Sequence, residues 1–176
     1  MRECAALQVL EEADYLVLVR AAAHSGTPCR DRALVHLFWH LAPTVRWVTG
    51  LQISDFLAED GELMWTDGRR ILPPPACLAA LRTYLRVERT ARRGVSHLFC
   101  GRHGLPLRPG DVDTFFRRLS RTAGVPVDPV ALRRAAFDRA LREAPARALG
   151  VLRARSHEAP PAAVPEALAC SAPSST

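Results

Sequence analysis

The groups in this chain that could do chemistry are dominated by one side chain. All 24 basic residues are arginine, and lysine is absent. A guanidinium stays protonated to a pKa above about 12, so it can fork onto a carboxylate or phosphate but makes a poor general acid. The two tyrosines, Tyr15 and Tyr84, fall inside segments of helical periodicity and read as amphipathic residues with a polar tip at the surface. Five cysteines stand at 4, 29, 77, 100 and 170, with no Cys-x-x-Cys pair among them. Cys100 and His103 have a Cys-x-x-His spacing that no second pair completes, so reduced thiols are expected, and no metal or other cofactor. Ser156 and His157 are neighbours without a Gly-x-Ser-x-Gly elbow, and they read as the polar start of a flexible tail.

Arg133 is the arginine whose spacing says most. Val130, Arg133, Phe137 and Leu141 recur at i, i+3, i+7 and i+11, which places them on one stripe of a helix. Arg134, Asp138 and Arg142 form a solvated stripe beside it, with room for i,i+4 ion pairs. An arginine on an apolar stripe costs free energy unless its fork meets an acceptor. A phosphate would answer that cost; so would a carboxylate, or snorkelling to the surface.

The elements that must position these groups follow from periodicity and turn signals. Helices are expected over Leu10–Ala23, Asp31–Leu41 and Ala76–Glu88, with a short helical turn over Val45–Thr49. In the Ala76–Glu88 helix, Leu78, Leu81 and Leu85 should face inward and Arg82, Arg86 and Arg89 outward. Gln52–Leu57, Glu62–Trp65 and Arg70–Leu72 are short apolar pieces separated by Asp-Gly turns, which predicts a small antiparallel meander. After a brief extended piece at His97–Cys100, Asp111 is expected to N-cap a helix through Ala123 with Val112, Phe115, Phe116 and Leu119 inward and an Asp113–Arg117 pair outward. Two more helices are predicted, over Pro129–Glu143 and Ala146–Arg155.

At 176 residues and 48% apolar, the chain suits one globular domain, expected over 1–155, with a Pro/Ala/Ser-rich disordered tail over 156–176. No run approaches the roughly 20 apolar residues of a membrane helix, and acidic residues occupy the place of a signal-peptide core, so a cytoplasmic location is expected. A net charge of +6 permits nucleic-acid binding.

Several phrases carry a resemblance. RDRALVHLFWHLAPTVRWVTGLQISDF is similar to a stretch in which a helix ends at a Gly-Leu-Arg turn and continues through Ser-Glu to a strand. GRRILPPPACLAALRTYL resembles an Arg-x-Val-Pro followed by a helix ending in Tyr-Leu, and HLFCGRHGLPLRPGDVDTFFRRLSRTAGV a Leu-Phe, Gly-x-Pro-Leu and Ala-Gly-Ile run. VALRRAAF stands where a His-x-x-Arg would, and ALGV where a Leu-Gly-His would. In this order, across about Leu10 to Val151, they resemble the catalytic domain of the tyrosine recombinase (phage integrase) family. The resemblance implies an α+β, mainly helical fold with a small three-stranded antiparallel meander.

It also implies what is missing. Strand cleavage in that family uses a tyrosine nucleophile, two arginines on the scissile phosphate, a lysine proton donor and two histidine-type partners. Counted from Leu51 and Asp55, the first arginine falls on Thr44, with Arg46 two residues away. The lysine's turn offers only Arg69 and Arg70; the histidine positions hold Val130 and Val151; Pro160 stands near the nucleophile's place. Arg133 alone is retained. The resemblance thus implies a pseudoenzyme related to DNA recombination and integration, contacting the phosphate backbone of double-stranded DNA. Its candidate contacts are Arg133, Arg46, Arg69, Arg70, Arg93, Arg102, Arg117 and Arg118, each of which could equally be a solvated surface charge. The alternatives are an interaction module, pairing with an active recombinase or with itself, and the remnant of a mobile element.

Overall fold

The computed structural model describes residues 10–143 apart from 58, 66 and 102. The expected helix over Ala146–Arg155, the tail over 156–176, Val151, Pro160 and Arg102 lie outside the described residues.

The second helix becomes the centre of the fold. Helix α2 (Pro28–Leu41) starts with proline at its first position, and Ala33, Leu34, Val35, Leu37 and Phe38 are fully buried on it. A helix buried nearly all round must be covered on several sides. Helix α1 (Glu12–Ala23), α4 (Pro75–Thr83) and α6 (Pro129–Glu143) all pack on α2. Helix α5 (Pro109–Ala123) lies against α1 and the short α3 (Val45–Gly50). It buries Val112, Phe115, Phe116 and Leu119 as the periodicity requires, with Phe116 meeting Phe38 edge to face at 5.1 Å. Burying a phenylalanine of this kind contributes about 2–3 kcal/mol.

The meander is present and smaller than expected. Strands β1 (Phe56–Leu57), β2 (Glu62–Met64) and β3 (Arg70–Ile71) pair antiparallel in sequence order, with Phe56 opposite Leu63 and Met64 opposite Arg70. Gly61 and Gly68, the glycines of the two Asp-Gly turns, have φ of +72° and +80°. Residues Ile53–Asp55, expected as strand, form a 3₁₀ turn because the Asp55 carboxylate accepts from the Gln52 backbone N–H at 2.8 Å. The sheet is tied to the helices by Trp65, whose ring lies 4.3 Å from that of Trp47 on α3.

Four local expectations are corrected. Asp111 is not the N-cap of α5: Pro109 starts that helix, and the Asp111 side chain accepts from the Arg108 N–H at 2.9 Å. Arg117 donates to Thr114 Oγ1 at 3.2 Å, and no ion pair joins it to Asp113. The segment after Thr83 widens into a π-helical turn, Tyr84–Glu88, so its inward residues are Cys77, Leu81 and Tyr84, with Leu78 and Leu85 only partly covered. Arg89, expected outward, turns back. Its guanidinium donates to the carbonyls of Val95, His97 and Leu98, the shortest contact being 2.7 Å to His97 O.

Candidate nucleic-acid interface

Helix α6 presents Arg133, but not as its spacing suggests. The buried stripe of α6 runs through Leu132, Ala135 and Ala136, and the stripe of Val130 and Leu141 faces outward, 69% and 44% exposed. Small side chains let α6 approach α2 closely, and Arg139, one turn on, completes the inner face. Its guanidinium lies 4.5 Å from the centre of the Trp39 ring and donates to Trp39 O at 2.8 Å. Arg133 sits at the border of this contact, half-buried, with its Nε enclosed.

The other candidate arginines separate by their partners. Arg69 pairs with Asp67 at 2.5 Å and Arg70 with Glu62 at 3.4 Å, both exposed pairs on the meander. Arg118 reaches inward from a partly exposed position: its Nη2 lies 2.6 Å from Asp31 Oδ2, and Asp31 is fully buried. Arg30 holds the other oxygen of Asp31 at 2.7 Å, so α2 and α5 share an Arg–Asp–Arg network centred on a buried carboxylate. The ion pair with Asp31 engages one end of the Arg118 guanidinium, whose side chain remains 43% exposed. Arg46, Arg93 and Arg117 are exposed without a carboxylate partner among the described residues.

Thr44 is the N-cap of α3, its Oγ1 accepting from Trp47 N at 3.1 Å. The helix ends at Gly50, and the residue after the Gly-Leu pair is Gln52, which the sequence reading passed over. Its side-chain amide is committed at both ends: Oε1 accepts from Ser96 Oγ at 2.6 Å, and Nε2 donates to Gly50 O at 2.8 Å. The signal was in the Gly-Leu-Arg phrase itself, which counts directly onto Gln52.

Both tyrosines are core residues, correcting the expectation of surface-tipped side chains. Tyr84 is 1% exposed, its oxygen accepts from Cys100 N at 3.0 Å, and burial pushes its pKa up to about 12. Tyr15 is buried against Trp39, with its hydroxyl 2.7 Å from His36 Nδ1 and 3.2 Å from His40 Nε2. Burial raises the Tyr15 pKa as well. Among the described residues no group of three or more His, Cys, Asp or Glu side chains is arranged to hold a metal, and no helix is long and apolar enough to cross a membrane.

No protein-family model and no curated protein matches the chain. Solved structures do. XerA recombinase superposes with a TM-score of 0.72 at 23% identity, over 85% of this chain and 56% of that one. The Tn1549 transposon integrase, in complex with circular-intermediate DNA, superposes with a TM-score of 0.72 at 14% identity, over 89% of this chain and 61% of that one. The chain therefore spans less than two thirds of either protein, and what the superpositions share is architecture. A mainly helical body with a three-stranded antiparallel sheet, superposing on both, is a tyrosine-recombinase catalytic-domain-like fold.

Proposed function

We propose that this chain binds the phosphate backbone of duplex DNA and does not cut it, acting in a process related to recombination or integration. The observation that carries the reading is the likeness to an integrase whose structure is a DNA complex, at a TM-score of 0.72, in a chain of net charge +6. Backbone contacts by arginine need no catalytic residue and tolerate sequence divergence. The loss of cleavage is argued from chemistry. The sequence has no lysine to protonate a leaving oxygen. Its two tyrosines are buried and hydrogen-bonded. In this reading the place of the first phosphate-clamping arginine is Gln52 rather than Thr44, and a neutral amide already bonded at both ends cannot offset charge on a pentavalent phosphorus. Val130 offers no hydrogen bond at the histidine's place, leaving Arg133 as the one retained group.

Two measurements test the reading. In a titration of duplex DNA, binding should weaken with salt, and Arg133→Ala should reduce the slope of log K against log salt by about 1; absence of binding at low salt overturns it. With a nicked suicide substrate no covalent protein–DNA adduct should form, and an adduct would refute the loss of cleavage. A second reading, an interaction module for an active recombinase or a second copy, is favoured by the outward apolar stripe of α6, Val130 and Leu141. Concentration-dependent sedimentation that Val130→Asp abolishes would support it.

A further inference from the structure

The net positive charge of this chain falls in one segment of its sequence. Between residues 82 and 108 stand seven arginines against one acid, Glu88, a surplus equal to the net +6 of the whole chain; everything outside that segment balances. The structure then decides which of these charges face outward. Glu88 is turned away from them, accepting from the backbone N–H groups of Cys29 and Arg30 at the start of α2. Arg89 is used internally on the carbonyls of Val95, His97 and Leu98. Arg86, Arg92 and Arg93 are exposed and meet no carboxylate among the described residues.

Arg86 stands on the π-helical turn Tyr84–Glu88, and Arg92 and Arg93 on the loop that follows it. Arg92 N donates to Gly104 O at 3.0 Å, and Cys100 bridges to Pro106, so the turn after α4 and the hairpin over 99–107 are joined back to back. Gly104 has a φ of +69°, and a Cβ there would lie 2.9 Å from Arg92 N, so the approach of the two loops needs a glycine. His103 is exposed beside this junction. Guanidinium forks that meet no carboxylate among the described residues break no ion pair on meeting an array of phosphates, whereas Arg69 and Arg70 must first give up Asp67 and Glu62.

We propose that the surface formed by Arg86, Arg92 and Arg93 at this loop junction is a principal backbone-binding face for duplex DNA. This rests on the DNA reading above and moves the weight of the contact from the meander arginines to a segment in which only Arg93 and Arg102 were candidates. The test is the salt dependence of duplex-DNA binding by the full chain, followed by fluorescence anisotropy. Arg92→Ala/Arg93→Ala should lower the slope of log K against log salt by about 2. A charge-matched double variant on exposed positions of α1 and α5, Arg20→Ala/Arg121→Ala, should change it much less. Circular dichroism checks that both variants fold; if the alanine pair disturbs the loop, Arg92→Gln/Arg93→Gln gives the same readout with longer side chains kept. Equal losses from the two charge-matched variants would overturn the proposal, because net charge rather than this face would then be responsible. Wild-type binding with an unchanged slope in the loop variants sinks the surface and leaves the DNA reading standing. Failure of the wild type to bind duplex DNA sinks both, and a preference for duplex RNA at equal length overturns the choice of partner.

Discussion

Replacing Asp31 with asparagine should destabilise the protein more than any other single charge removal in the described region. Its carboxylate is fully buried and takes Arg30 on one oxygen at 2.7 Å, Arg118 on the other at 2.6 Å, and the Thr27 hydroxyl at 3.1 Å. The two arginines differ in what they lose. Arg30 is 10% exposed, so without the carboxylate its charge stays in a low-dielectric setting with only Thr27 Oγ1 and Cys100 O as acceptors. Arg118 is 43% exposed and can relax into water. Removing one partner of a buried pair costs about 3–5 kcal/mol. The acceptors left to Arg30 and the amide oxygen of asparagine put Asp31→Asn near the lower end, about 3 kcal/mol, and the solvent-screened Arg118→Ala near 1 kcal/mol. For a chain of this length 3 kcal/mol corresponds to a fall in Tm of roughly 6–12 °C. Urea unfolding of both variants and of the double variant gives the coupling directly. If Asp31→Asn costs no more than Arg118→Ala, the network is not held by burial and the reasoning fails.

Other outcomes follow from the same packing. Tyr84→Phe strands the buried Cys100 N–H and should cost about 1–3 kcal/mol, checked by urea unfolding. In the wild type, absorbance at 295 nm should show one phenol resisting ionisation to about pH 12; because the folded pKa is raised, the stability this phenol contributes is present below pH 10 and lost as pH rises towards 12. His36 and His40 have pKa values lowered to about 4 by burial, with Arg32 adding to the effect on His36 and Arg139 on His40. Folding therefore favours their neutral forms, and the stability they contribute is present above about pH 6.5 and lost as pH falls towards 4, which a Tm series across that window measures. Gly104→Ala should destabilise by more than about 1 kcal/mol and raise amide exchange at Arg92, since it must adopt a φ of +69° with its Cβ against the Arg92 backbone.

Much of the fold was legible because its signals are local. The Asp-Gly turns fix the meander, and the spacing of Val112, Phe115, Phe116 and Leu119 fixes the inner face of α5, since one strong period admits one orientation. Arg133 shows where such reasoning stops. The stripe through Val130 and Leu141 is as regular as the one on α5, yet α6 turns its alanines to α2, because small residues permit the close approach that Arg139 needs to reach the ring and carbonyl of Trp39. Periodicity identifies a face; the partner decides whether that face is the buried one.

The candidate site divides the same way. Residue type alone determined that this chain has guanidinium groups and no lysine, and counting alone placed a charge surplus between residues 82 and 108. Whether a given arginine is available to a phosphate depends on residues far away in sequence, and only the tertiary structure settles it. Arg118 is engaged by Asp31, 87 positions earlier, and Arg89 by carbonyls across a loop, while Arg92 and Arg93 are exposed and Glu88 bonds to the start of α2. Likewise Tyr84 looks amphipathic in sequence and is a core hydrogen-bonding residue in the fold, because the π-helical turn and Cys100 close over it. Charge and periodicity are properties of the chain; burial and pairing are properties of what folds against it.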